Sequence, residues 1–405
     1  MRCTSSWISG VFCAVYLATC SCVWSAGTLD RDYGLGDDGG ENASSGAVVG
    51  ASSSGVTFDS FGAPGNNELH DLTVFGNPTY ASVSDRPQFS SGLGASFDGN
   101  GDYLRGSNLN LPDTSIASVN HDDDPSGTSL PGPLNYAGIS DRYFQLWVKP
   151  DAASSANTQS VVMDTNEHGL RIVDGKWSLR YGGTDYDSTA NVDFGQWSHV
   201  MVARPSGAAG GSQLYVNGNA VVAAGGGYNG GVTEELVVGS NTGRDANLAF
   251  IGGTGEFYHG LLDDLTLAVL GDNTGEGGQD YGSFDFGVDN QFAAGMLSGI
   301  AAADVNLDGS VSGDGTGPAA SDDVTAFVNG WLSSNEINGV RVADLGTRQQ
   351  GDLDFNGITN LRDFAILNAA NPALAANVAT LVPEPSTQIY LFSLLLLPAL
   401  LRRKK

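Results

Sequence analysis

Between Asp352 and Asp363 the chain sets side-chain oxygens at Asp352, Asp354, Asn356, Asn360 and Asp363, with Gly357 among them. Counted from Asp352, the oxygens fall at positions 1, 3, 5, 9 and 12 and the glycine at 6. Three acids so close repel one another unless a cation neutralises them. Hard oxygen donors in this number suit calcium, and the carbonyl of Ile358 at position 7 adds one more. The glycine permits the sharp turn that folds the loop back on itself. Asp363 opens the next helix and closes the shell, with a shorter reach than the usual Glu. The side chain of Ile358 is apolar and suited to docking on a partner loop.

This spacing resembles the EF-hand calcium loop, and a second copy stands 48 residues earlier. It reads Asp304, Asn306, Asp308, Gly309, the carbonyl of Ser310, and Ser312. Residues 313–320, GDGTGPAA, read as an insertion, after which Asp323 resumes the pattern as closing acid, with Asp314 as its competitor. Val324, Phe327, Val328, Trp331 and Leu332 then recur at the spacing of one helix face. After Asp363 the helical signal is weaker, with Phe364 and Leu367, and stops near Asn371-Pro372. Paired loop-helix units of this kind resemble dockerin domains over residues 303–372. The resemblance implies bound calcium and a small helical fold. It also implies a cohesin-like partner, although the insertion in the first loop departs from the dockerin pattern.

Residues 30–270 read as all-β: short alternating runs separated by Gly, Asn and Asp clusters. In KWSLRY, Trp177, Leu179 and Tyr181 alternate with Lys176, Ser178 and Arg180; in LYVNGNAV, Asn217-Gly218 suits a type I′ hairpin. Many short strands without a helical stretch predict a two-sheet sandwich. The order of GLGASFDGNGDYL, FQLWVKPDA, QWSHVMVARP, SQLYVNGNAV and FYHGLLDDLTLAV resembles laminin-G-like jelly rolls of the concanavalin A type. Such domains bind sugars or proteins and often hold calcium. Asp98 with Asp102, and Asp264 with Asp263, are where that ion is expected. One of Asp263 and Asp264 must point inward, which calls for a buried partner or an ion. Tyr186 and Tyr228, in Gly- and Asp-rich stretches, are candidate ligand contacts; Trp177, Tyr181 and Tyr215 read as core. No catalytic constellation is visible. Glu234 and Glu235 are adjacent and face opposite sides of any strand, and the five histidines form no metal-spaced pair.

The 405 residues carry 45 acids against 18 bases, a net charge of −27. Such a chain repels nucleic acid phosphates, so no nucleic acid partner is expected. Residues 1–25 read as a secretory signal peptide, and all four cysteines (Cys3, Cys13, Cys20, Cys22) lie within it. The exported part therefore uses no disulfides. At the other end, Pro383, Glu384 and Pro385 precede the apolar run Gln388 to Leu401 and the bases of 402–405. Fourteen helical residues span about 21 Å, short of the ~30 Å hydrocarbon core. This order resembles the PEP-CTERM sorting tail, which implies an exosortase-type processing enzyme.

The expected organisation is a signal peptide (1–25), jelly roll (26–270), linker (271–300), dockerin-like domain (301–375) and sorting tail with a short apolar helix (376–405). The fold class is mainly all-β with a small α calcium-loop domain. The expected function is that of an exported, non-catalytic surface or matrix protein binding an extracellular glycan or a surface protein. Two alternatives stand beside it: an enzyme or enzyme subunit acting on polysaccharide, and a structural coat component without a specific ligand.

Overall fold

The computed structural model describes residues 27–35, 43–51, 56–57, 72–87, 92–106, 142–164, 168–181, 183–204, 212–224, 236–244, 250–270 and 290–382. Residues 1–26, Tyr228, Glu234, Glu235 and the sorting tail from Pro383 onward lie outside these, so the readings made on them lie outside the described residues. Among the described residues no helix is long and apolar enough to cross a membrane.

Two antiparallel sheets face each other. The first runs β14 (Asn219–Ala224), β13 (Ser212–Val216), β12 (Ser198–Arg204), β7 (Arg142–Pro150), β18 (His259–Leu270), β5 (Leu93–Asp98), β4 (Thr79–Ser82). β18 is long enough to pair with β5 in its first part and with β1 (Gly27–Tyr33) in its last. The second sheet runs β11 (Thr184–Asn191), β10 (Lys176–Tyr181), β9 (Gly169–Val173), β8 (Gln159–Asp164), β15 (Leu236–Val238), β6 (Tyr103–Gly106), β3 (Leu72–Phe75), β2 (Val56–Thr57). A short hairpin, β16 (Thr242–Arg244) with β17 (Phe250–Gly252), stands apart.

Alternation decides what fills the space between the sheets. Leu146, Val148, Val200, Val202 and Leu214 enter from the first; Trp177, Leu179, Leu170, Ile172 and Val238 enter from the second. Trp177 is buried in this core, with Tyr181 packed at its margin. The β13–β14 turn has Asn217 at φ 48° and Gly218 at φ 80°, both positive as a type I′ turn requires.

The strict alternation read at Asp263-Asp264 does not hold. β18 bulges between Asp263 and Thr266, with Asp264 at φ 46°, so both carboxylates turn to the same partner. Arg86 Nε lies 3.1 Å from Asp263, and its Nη1 lies 2.6 Å from Asp264. The guanidinium also sits over the Trp147 ring. The buried partner that Asp263 needs is thus an arginine.

The outer face of the first sheet is apolar at Tyr143, Met201, Ala203, Tyr215 and Ala223, and the C-terminal module covers it. The module comprises α1 (Gln291–Leu297), α2 (Asp323–Gly330), the hairpin β19 (Glu336–Ile337) and β20 (Val340–Arg341), α3 (Leu345–Arg348), α4 (Leu361–Ala370) and α5 (Pro372–Leu381). Phe292, Ala293, Ile337, Val340, Val342 and Leu345 pack on that face. Polar contacts fix the register. Ala220 N donates to Asp344 at 2.9 Å, Asn338 to the Ala223 carbonyl at 2.7 Å, and Leu345 N to the Gly218 carbonyl at 3.2 Å. Asp344 also caps α3, so one carboxylate ties helix start to sheet edge. The stretch 271–300, linker-like in sequence, therefore holds a helix seated on the sheet.

A separate core of Val305, Val324, Phe327, Leu367, Leu374 and Val378 holds α2, α4 and α5 together. Helix α5 and its buried Leu374 and Val378 carry this module past residue 375. The face read through Leu332 is cut short. α2 stops at Gly330, where any Cβ would strike the Gln350 carbonyl, and Leu332 turns out at φ 60° with 70% of it exposed.

Candidate functional site

The two acidic loops fold alike around their closing acids. In the second loop Asp363 Oδ1 accepts from Leu353 N at 2.7 Å and Asp354 N at 3.1 Å, while Oδ2 accepts from Asn360 N at 2.7 Å. In the first, Asp323 Oδ1 accepts from Val305 N at 2.6 Å and Asn306 N at 3.2 Å, and Oδ2 from Ser312 N at 2.7 Å. The same three positions are bound in each. Asp323, beyond the insertion, occupies the closing place. Asp314 instead caps its own turn at Thr316. The insertion is organised by Asp322, which accepts from the backbone N–H groups of Asp314, Gly315 and Gly317 as well as Thr325.

The opening acids turn their chain in the same manner. Asp352 accepts from Asn356 N and Gly357 N at 3.0 and 2.9 Å; Asp304 accepts from Gly309 N at 2.9 Å. Gly357 and Gly309 take φ 78° and 87°, the left-handed region that position 6 demands. Asn356 and Asp308 accept from the N–H of Ile358 and Ser310.

One carboxylate oxygen from each of Asp352, Asp354 and Asp363 lies within 4.8 Å of the other two, with Asp352 and Asp363 wholly buried. Both Asp354 oxygens are buried without a hydrogen bond among the described residues, as is Asp304 Oδ1. Arg362 Nε, on a largely exposed side chain, stands 3.3 Å from Asp354. A carboxylate buried without donors is costly unless a cation satisfies it, so this donor set fits a hard divalent ion. Burial pushes Asp352 up to about 6 and raises Asp363 and Asp323 as well. Ile358 bridges to Ser334, after α2, rather than to the first loop.

Two features escaped the sequence reading. Arg348 of α3 is buried between the loops, where it donates to the carbonyls of Ala302 at 3.0 Å and Val305 at 3.4 Å. Burial lowers it to about 10, against the pull of Asp304, Asp323, Asp352 and Asp363. Position 4 of each loop is a large apolar residue at positive φ, Leu307 and Phe355, and both pack into the seam with the jelly roll. The repeat of an apolar residue in DVNLDG and DLDFNG was the available signal.

The jelly-roll acids form two separate pairs, Asp98 with Asp102 and Asp263 with Asp264. Asp98 is exposed and caps Asn100 N; Asp102 ties that turn to Asn77 N at 2.7 Å. Asp264 belongs to Arg86. Five residues along β18 separate it from His259, which pairs with Asp98, about 16 Å away. Asp98 thus sits in a turn and Asp264 beside Arg86, and neither alternation nor spacing showed the bulge or that arginine. Tyr186 is a strand residue packed against the core rather than a loop contact. His199 is buried between Trp147 and Phe292, and burial, with Arg86 nearby, lowers it to about 3.

Residues 144–271 match the family model of the concanavalin A-like lectin/glucanases superfamily, laminin G type. Over these residues the two-sheet sandwich is similar to a concanavalin A-like jelly roll. Domain 4 of an extracellular arabinanase from Geobacillus stearothermophilus, in complex with arabinotriose, is similar at 16% identity. That match covers 66% of this chain and 98% of that one, with a TM-score of 0.38. A pentraxin from Limulus polyphemus is similar at 18% identity, over 32% of this chain and 64% of that one, TM-score 0.24. A sialidase from Trypanosoma rangeli is similar at 12% identity, over 66% and 33%, TM-score 0.35. No curated protein matches the chain.

Proposed function

We propose that this is an exported surface or matrix protein whose jelly roll binds an extracellular glycan and whose C-terminal module is held by calcium in both acidic loops. The observation that carries the calcium reading is the pair of closing acids, Asp363 and Asp323, each fixed by three backbone N–H groups beside buried oxygens that accept no hydrogen bond among the described residues. Asp352, Asp354, Asn356, the Ile358 carbonyl, Asn360 and Asp363 would hold one ion. Asp304, Asn306, Asp308, the Ser310 carbonyl and Asp323 would hold the other. The ion would supply charge neutralisation and a link between loop and helix. The glycan reading rests on the jelly roll and its family match. Because the module is seated on the jelly roll, it acts as a buttress of that domain. A cohesin-like partner has no support in the comparisons and is not proposed. Export and processing at Pro383-Glu384-Pro385 rest on the two terminal segments of the sequence.

Calorimetric titration with calcium tests this reading, and pH sharpens it. The carboxyl of Asp352 ionises at about 6 in the folded, calcium-free loop, above its ordinary 3.8. As pH falls through 6 the folded loop takes up a proton, so the calcium-free fold gains stability while calcium must displace that proton. Affinity at the second loop is therefore expected to be about tenfold weaker at pH 5 than at pH 7. Heatless titrations at both pH values would refute the calcium assignment.

A further inference from the structure

With the outer face of the first sheet covered, the outer face of the second carries a compact polar cluster. Arg171 of β9 lies between two acids. Its Nη1 is 2.6 Å from both oxygens of Asp185, and its Nη2 is 2.6 Å from Glu256. Arg180 of β10 reaches Asp185 at 3.1 Å, and the Ser160 hydroxyl donates to Glu256 at 2.9 Å. Register explains the grouping. Arg171 pairs across with Ser160 and Ser178, Ser178 with Asp187, and Arg180 with Asp185. Their neighbours Leu170, Ile172, Trp177 and Leu179 fill the core, so alternation turns the whole set outward.

Although turned from the core, Arg171 is only 4% exposed, whereas the side chains of Asp185 and Glu256 are 28% and 30% exposed. The guanidinium thus lies beneath two acids that reach solvent. Beside it the Ser178 hydroxyl is wholly buried and has no hydrogen-bond partner among the described residues; Arg171 Nε has none either. An unpaired buried hydroxyl costs free energy that alanine would avoid, so a face built only to hold the sheet gains nothing from it.

We propose that this cluster is a glycan subsite for the vicinal hydroxyls of a neutral sugar, which rests on the glycan-binding reading above. Asp185 and Glu256 accept from sugar hydroxyls, and where they part to admit the sugar the buried Ser178 hydroxyl and Arg171 Nε beneath them donate to its oxygens. Two arginines face three acids, Asp185, Asp187 and Glu256, on a chain of net charge −27. That balance disfavours uronates and sulfated sugars.

The test titrates the full chain with cello-, xylo- and manno-oligosaccharides and with oligogalacturonate, beside Ser178→Ala and Asp185→Asn. The wild type is expected to bind a neutral oligosaccharide, and both variants at least tenfold more weakly. Ser178→Ala should melt no lower than wild type, so its loss of binding is not a loss of fold. If Asp185→Asn unfolds, Ser178→Ala decides alone. Neutral-sugar binding that survives in Ser178→Ala would place the site elsewhere and leave the glycan reading standing. Binding of oligogalacturonate alone, or of nothing, would remove the neutral-sugar subsite, and the second of these would remove the glycan reading with it.

Discussion

Replacing Asp363 by alanine is expected to unfold the C-terminal module even without calcium, while Asp354→Asn leaves it folded with at least tenfold weaker calcium affinity at the second loop. The two acids share one loop but not one job. Asp363 accepts from Leu353 N, Asp354 N and Asn360 N, and it is fully buried. Removing it strands three N–H groups, at about 1–3 kcal/mol each. The sum is a large share of the 5–15 kcal/mol that typically holds a domain. Asp354 accepts no hydrogen bond among the described residues, and its ion pair with Arg362 involves a guanidinium on a mostly exposed side chain. Asn at 354 therefore removes a repelling charge at little structural cost. The calcium-free melt should hold or rise slightly, and calcium affinity should fall at least tenfold, about 1.4 kcal/mol. Thermal melts of both variants, in calcium and in chelator, read this directly. Equal calcium-induced stabilisation of Asp354→Asn and wild type would remove Asp354 from the proposed shell.

The second large effect lies at the seam. Tyr215→Ala should cost about 3–5 kcal/mol, as loss of a fully buried aromatic ring does. It should also separate one unfolding transition into two. Tyr215 is 1% exposed because the module covers it, and its hydroxyl donates to Gln213, which reaches the Arg341 carbonyl at 3.4 Å. Leu307 and Phe355 enter the same seam from the two acidic loops, so what orders the loops also orders the contact. Wild type in calcium should lose tryptophan fluorescence and far-ultraviolet dichroism together. In Tyr215→Ala the two signals should part, the module opening first. Coincident transitions at nearly unchanged stability would mean that the seam carries little energy.

Much of this was legible because strands and loops announce themselves through local chemistry. KWSLRY alternates, and the structure buries Trp177 and Leu179 accordingly. Asn217-Gly218 needs positive φ twice, and has it. The acidic loops are legible for the same reason, since their ligand spacing is set within a dozen residues. What sequence could not give is contact across long separations. Arg86 meets Asp264 across 178 positions, and Asp344 meets Ala220 across 124. A bulge at Asp263-Asp264 undid the alternation on which an inward and an outward acid had been inferred. Tyr186 looked like loop because its Gly- and Asp-rich surroundings are those of turns, yet edge strand β11 is built from just such residues. The Arg171 cluster was invisible because its members lie on five separate stretches, from Ser160 to Glu256.

The molecule proposed here is a glycan-binding jelly roll braced by a calcium-held module. Its most direct test is binding of the full chain to an array of neutral and acidic oligosaccharides, in calcium and again in chelator. The prediction is binding to a neutral class in calcium, weakened in chelator as the module loosens from the sheet. A folded sample that binds no glycan in either condition would contradict it.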